Sequence, residues 1–127
     1  MKLEHQVCSL ELAKRLKELG VSQESYWFWM KGTHYATAFC NLVDQYDLDN
    51  STVAGQWDKW TAFTVAELGE MLPPAYASAH GADMKWMCFD EMKRPSDEGY
   101  IKRGPTEADA RASMVIYLIE NKRIILP

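Results

Sequence analysis

The chain has no excess of positive charge, few cysteines and no long apolar run. Across 127 residues, 14 Lys and Arg stand against 18 Asp and Glu, a formal net charge of −4. Duplex nucleic acid is held mostly through phosphate contacts to a clustered basic patch, and this balance argues against one. The 3 cysteines, Cys8, Cys40 and Cys88, are far apart, odd in number and form no CxxC pair. A disulfide framework cannot use all of them, and a reducing compartment is expected. The longest apolar run, Met114 to Ile119, is 6 residues, against about 20 for a membrane span. Met1-Lys2-Leu3-Glu4-His5 lacks the apolar centre of a secretory leader. There is no HxH, HExxH, GxSxG, phosphate-binding loop or dinucleotide glycine pattern, so no cofactor or metal is implied.

What is present is an ordinary globular composition with a heavy aromatic share. Apolar residues are 47%, charged residues 25% and aromatics 12%, with 5 Trp. Disorder, collagen and coiled coil are disfavoured. One domain over residues 1–127 is expected, long enough to bury a core without staples.

Local patterning gives the elements. Over about residues 6–19, Cys8, Leu12, Leu16 and Leu19 make one helical stripe, with Glu11, Lys14, Arg15, Lys17 and Glu18 facing away. Gly20 supplies the left-handed stop. Tyr26 to Met30 reads as an aromatic strand, with Tyr26, Phe28 and Met30 on one side and Trp27 and Trp29 on the other. A turn near Gly32 would pair it with residues 33–39. Residues 41–60 read as a loop ending in one or two helical turns that carry Trp57 and Trp60. Thr64 and Glu67 have capping-box spacing, Phe63 and Leu68 occupy the staple positions, and Pro73-Pro74 ends the short helix they begin. Small residues over 75–82 suggest a loop. Met84 to Phe89 suggests a strand covered on much of both faces, and Tyr100 to Lys102 its partner. Thr106 caps a last helix whose final turns are apolar nearly all round, a pattern of deep burial or of a subunit interface. Asn121 is the expected left-handed stop. The sum is an α+β domain: a small antiparallel sheet of about three or four strands, an N-terminal amphipathic helix, a short middle helix and a C-terminal buried helix.

Five constellations could carry chemistry. Glu11 to Gln23 resembles half a helix-turn-helix, but its glycine comes seven residues after Ala13 and an aromatic run replaces the recognition helix. Asp47, Asp49, Ser51 and Asp58 echo a calcium loop, but Thr52 stands where the sharp turn needs Gly. Asp83–Lys85 and Glu91–Lys93 have the acid–lysine spacing of metal-dependent nucleases, without a further acid. Cys40 or Cys88 could meet His34 or His80 as a nucleophile–base pair, with nothing in the sequence favouring it. The Trp set could stack bases or anchor a protein partner. Trp57 and Trp60 lie outside the aromatic strands and are the residues to inspect first as an interaction surface.

Three segments carry a resemblance. Cys8-Ser9-Leu10-Glu11-Leu12-Ala13-Lys14-Arg15-Leu16-Lys17-Glu18-Leu19-Gly20-Val21 is followed by Gln23-Glu24-Ser25 and an aromatic strand. Phe63 to Pro73 forms the middle segment, and Thr106 to Ala112 runs into Ile116-Tyr117-Leu118-Ile119. In this order the segments, about a third of the chain, resemble small phage and prophage proteins of no known biochemical activity. The resemblance implies a phage or prophage origin and a bacterial cytoplasm, and it transfers no catalytic residue. The leading expectation is a non-enzymatic accessory protein that binds a protein partner or itself. The alternatives are a nucleic-acid-associated protein working through Lys14, Arg15 and Lys17 or exposed Trp rings, and a small enzyme with an acid or Cys–His pair.

Overall fold

A computed structural model describes residues 3–32, 40–44, 57–97 and 99–124; residues 31–32, 40–41, 43–44 and 57–58 are described by backbone alone. A 3-10 turn, Leu3–His5, precedes helix α1, Leu10–Glu18. Strands β1 (Trp27–Gly32), β2 (Cys40–Asp44) and β3 (Trp57–Thr61) form one antiparallel sheet in the order β2-β1-β3. Helix α2, Val65–Met71, leads into a second antiparallel sheet. There β4 (Tyr76–His80), β5 (Trp86–Asp90) and β6 (Ile101–Gly104) lie in chain order. Helix α3, Glu107–Glu120, completes the fold. The class is α+β, and the small antiparallel sheet is present twice. Among the described residues no helix is long and apolar enough to cross a membrane.

Helix α1 starts four residues later than its stripe suggests. Ser9 is the N-cap, with Oγ accepting from Leu12 N at 3.5 Å. Cys8 reaches the core by another route: its N–H donates to Phe63 O at 2.9 Å, beside a Val7–Thr64 bridge. The helix ends in a Schellman motif, with Val21 N to Leu16 O at 3.1 Å, Gly20 N to Lys17 O at 3.0 Å and Gly20 at φ 89°. The capping box of α2 is present in both directions. Thr64 Oγ1 accepts from Glu67 N at 3.2 Å, and Glu67 Oε1 accepts from Thr64 N at 3.0 Å. Phe63 and Leu68 close the staple, both fully buried.

Three expectations are corrected by strand pairing. The partner of β1 is Cys40–Asp44, with Trp29 opposite Leu42, and not the run 33–39, which lies outside the described residues. Trp57 and Trp60 belong to strand β3, not to helical turns, with Trp60 opposite Trp29. Residues 76–80 are strand β4, not loop: Ala77 and Ala79 lie opposite Phe89 and Met87. Strand preference is mostly packing against cross-strand neighbours, so a run of small residues gives little local sign of it. Strand β5 begins at Trp86; Met84, at φ 66°, is the left-handed residue of the turn closed by Gly81 N to Lys85 O at 2.7 Å.

Helix α3 lies at the centre. Ala108, Ala112, Val115 and Ile116 face a core shared with Leu16 of α1, Leu68 of α2, Cys8 and Phe63. Ala110, Met114 and Leu118 face the second sheet around Cys88. Its all-round apolar character is therefore explained by burial on two sides within the fold. Its last turn is also a Schellman motif, with Arg123 N to Leu118 O at 2.8 Å and Lys122 N to Ile119 O at 3.0 Å. Lys122 holds the left-handed position at φ 55°, where Asn121 was expected to. The aromatic strand β1 has both faces covered as its alternation requires. Phe28 is 2% and Met30 8% exposed, while Trp29 packs on the α1 core from the other side.

Candidate functional site

The basic face of α1 is engaged within the molecule. Lys14 Nζ stands 4.9 Å and Lys17 Nζ 5.9 Å from the Trp60 ring centroid. Lys17 Nζ also donates to Lys59 O at 2.8 Å. Arg15 pairs with Glu18 at 3.1 Å and with Glu120 of α3 at 3.4 Å. Trp60 is half-buried against the core under those two lysines. It braces α1 on the first sheet rather than presenting an open ring. Trp57 contributes its backbone to β3, opposite Gly32; its side chain lies outside the described residues.

Among the described residues the candidate catalytic groups do not assemble; the Cys40 side chain lies outside them. Cys8 and Cys88 are buried. Burial pushes the Cys8 thiol up to about 12 and the Cys88 thiol up to about 11, the opposite of an activated nucleophile. His80 lies against Trp86 in a tilted contact, with ring centroids 5.2 Å apart; His34 and Asp47 to Thr52 lie outside the described residues. Asp83 Oδ1 accepts from Lys85 N at 3.2 Å in the β4–β5 turn. Glu91 follows the opposite end of β5, so strand length separates the two acid–lysine pairs. Among the described residues no group of three or more His, Cys, Asp or Glu could hold a metal ion.

A cavity of about 390 Å³ lies between the 3-10 turn and the start of α3, lined by Glu4, His5, Val65, Trp86, Glu107 and Asp109 among others. Two of its carboxylates hold the fold together. Asp109 is buried, and Oδ1 accepts from Ser9 N at 2.8 Å, tying α3 to the cap of α1. Burial raises its pKa, and the Ser9 hydrogen bond opposes the shift. Glu107 Oε2 accepts from the Ser78 hydroxyl and pairs with Arg111 Nη2 at 3.4 Å. Arg111 also donates to Ser78 Oγ at 3.0 and 3.2 Å and to Val65 O at 2.9 Å, joining β4, α2 and α3.

The second sheet has two unlike faces. Tyr76, Ser78, Trp86, Cys88 and Lys102 share the face covered by α3. The opposite face carries Ala77, Ala79, Met87, Phe89 and Ile101, all partly exposed, with the exposed Arg103 opposite Met87. Met84 and Met92, 76% and 83% exposed, lie just beyond the two ends of β5. Among the described residues no helix or second sheet packs on this face, yet Met87 and Phe89 are only partly exposed, so much of both faces of β5 is covered as expected. Compared with protein-family models, curated proteins and solved structures, the chain matches none.

Proposed function

We propose that this chain is a non-enzymatic accessory protein of phage or prophage origin, working in a bacterial cytoplasm through protein–protein contact. One observation carries the reading: the outer face of the β4–β6 sheet, apolar apart from Arg103, has no described element against it. Monomeric proteins seldom leave such a face unused. The other two features that suggested association, the apolar last helix and Trp60, are accounted for inside the fold. Buried, protonated thiols and structurally committed carboxylates support the non-enzymatic half of the reading.

A photo-crosslinking side chain placed at Phe89 tests it. The expected result is a discrete protein adduct from position 89 and none from the same group at Glu18, on the exposed side of α1. Equal labelling at both positions, or none at either, contradicts the reading.

A further inference from the structure

We infer that this sheet also joins a second copy of the same chain, edge to edge along β4 in a two-fold antiparallel pair centred on Ser78. This goes beyond the reading just given: the copy meets the open edge of the sheet and leaves its outer face free for another partner.

The two edges of the sheet differ in how they are guarded. Edge strands are ordinarily protected by charge, proline, a bulge or a covering element, because their unpaired backbone groups recruit other strands. The β6 edge carries Lys102 and Arg103 and runs into Pro105. The β4 edge reads Tyr76-Ala77-Ser78-Ala79-His80, without Lys, Arg, Asp, Glu or Pro. Its register with β5 is unbroken over all five residues. Among the described residues no strand pairs with its other side.

The direction of its backbone groups follows from two bonds. Glu91 N donates to Ala75 O at 2.9 Å, and Gly81 N to Lys85 O at 2.7 Å. Backbone groups alternate sides along an antiparallel strand. Ala75, Ala77, Ala79 and Gly81 thus turn theirs toward β5, and Tyr76, Ser78 and His80 turn theirs to the open edge. Tyr76 N is already bonded to Pro73 O at 3.1 Å. The edge therefore offers N–H groups at Ser78 and His80, and C=O groups at Tyr76, Ser78 and His80.

That set is self-complementary. With Ser78 opposite its copy, each Ser78 N–H meets the other's C=O, and each His80 N–H meets Tyr76 C=O of the other chain. The committed Tyr76 N–H is not needed. Ala77 then faces Ala79 of the copy, small against small, so the two outer faces fuse into one six-stranded surface.

Sedimentation velocity over a concentration series tests the inference on the full chain, with wild type compared to His80→Pro. The His80 N–H makes no bond within the sheet, and proline is tolerated on an edge. This variant should therefore keep the monomer fold while removing two of the four inter-chain bonds. The expected result is a wild-type dimer whose dissociation constant rises roughly tenfold or more in the variant. Should His80→Pro not fold, Ala77→Lys/Ala79→Lys sets like charges opposite each other across the pair and should give a folded monomer. A wild-type monomer at every concentration overturns the inference; adducts to a different protein from position 89 would then leave the broader reading standing. A dimer unaffected by either variant but abolished by Phe89→Glu also overturns it, because the copies would then meet face to face.

Discussion

Replacing Gly69 with alanine should destabilise this protein, although the same change in most helices does the reverse. Gly69 lies inside α2, where alanine is favoured by about 1 kcal/mol. A Cβ at this position would come within 2.4 Å of Arg111 Nη1. The guanidinium is the far end of a flexible side chain and can retreat, so the cost is what it lets go. Nη1 donates to Val65 O at 2.9 Å, and Nη2 bonds Ser78 and Glu107 nearby. A hydrogen bond from a charged donor is worth about 1.5–3 kcal/mol. The Arg111 and Glu107 side chains are 23% and 27% exposed, so solvent screens them only in part. Losing the Val65 bond against the helix gain leaves a net loss of about 0.5–2 kcal/mol. With Arg111→Ala already in place there is no bond to lose, and Gly69→Ala should then stabilise by about 1 kcal/mol. Urea unfolding of wild type, both single variants and the double variant, followed by tryptophan fluorescence, gives the cycle. A Gly69→Ala that stabilises wild type, or changes stability equally in both backgrounds, refutes the reasoning.

Other changes have equally definite signs. Lys122 and Met84 hold left-handed conformations at φ 55° and 66°. Lys122→Gly and Met84→Gly should each raise stability by up to about 1 kcal/mol, measured by urea midpoints, because a side chain there is strained. Asp109→Asn keeps an acceptor for Ser9 N–H and removes a desolvated charge, so it should stay within about 1 kcal/mol of wild type, whereas Asp109→Ala should cost about 1–3 kcal/mol. Burial raises the Asp109 pKa, so its native form binds a proton more readily than its unfolded form. Stability should therefore decline as pH rises through the carboxylate range, and Asp109→Asn should flatten that slope. At alkaline pH the buried thiols act with the same sign. Native Cys8 and Cys88 keep their protons up to about 12 and about 11, against 9.0 ordinarily. Urea midpoints should thus fall as pH rises above 9.0, less so for Cys88→Ala.

What could be read from sequence alone followed the reach of each signal. Capping chemistry is local, and Thr64, Glu67, Phe63, Gly20 and Thr106 act as their spacing indicates. The stripes of α1 and α3 are nearly as local. Strand β4 was hidden because Ala77, Ser78 and Ala79 have little strand preference of their own; they are held by Phe89, Cys88 and Met87 across the ladder. Trp60 drew attention by its distance from the other aromatics. Lys14 and Lys17 above its ring, and Trp29 opposite it in the register, make it a brace. The outer sheet face went unseen because exposure depends on which helix covers which side of β5. A single apolar run at residues 86–89 does not say that.

Amide hydrogen exchange at Ser78 and His80 tests the central claim most directly. Within one chain both N–H groups point away from β5. Pairing of two β4 edges predicts that these amides become protected as protein concentration rises, while the Ala77 and Ala79 amides, bonded within the sheet, do not depend on concentration. Rapid exchange at Ser78 and His80 at every concentration, with Ala77 and Ala79 protected, would contradict it.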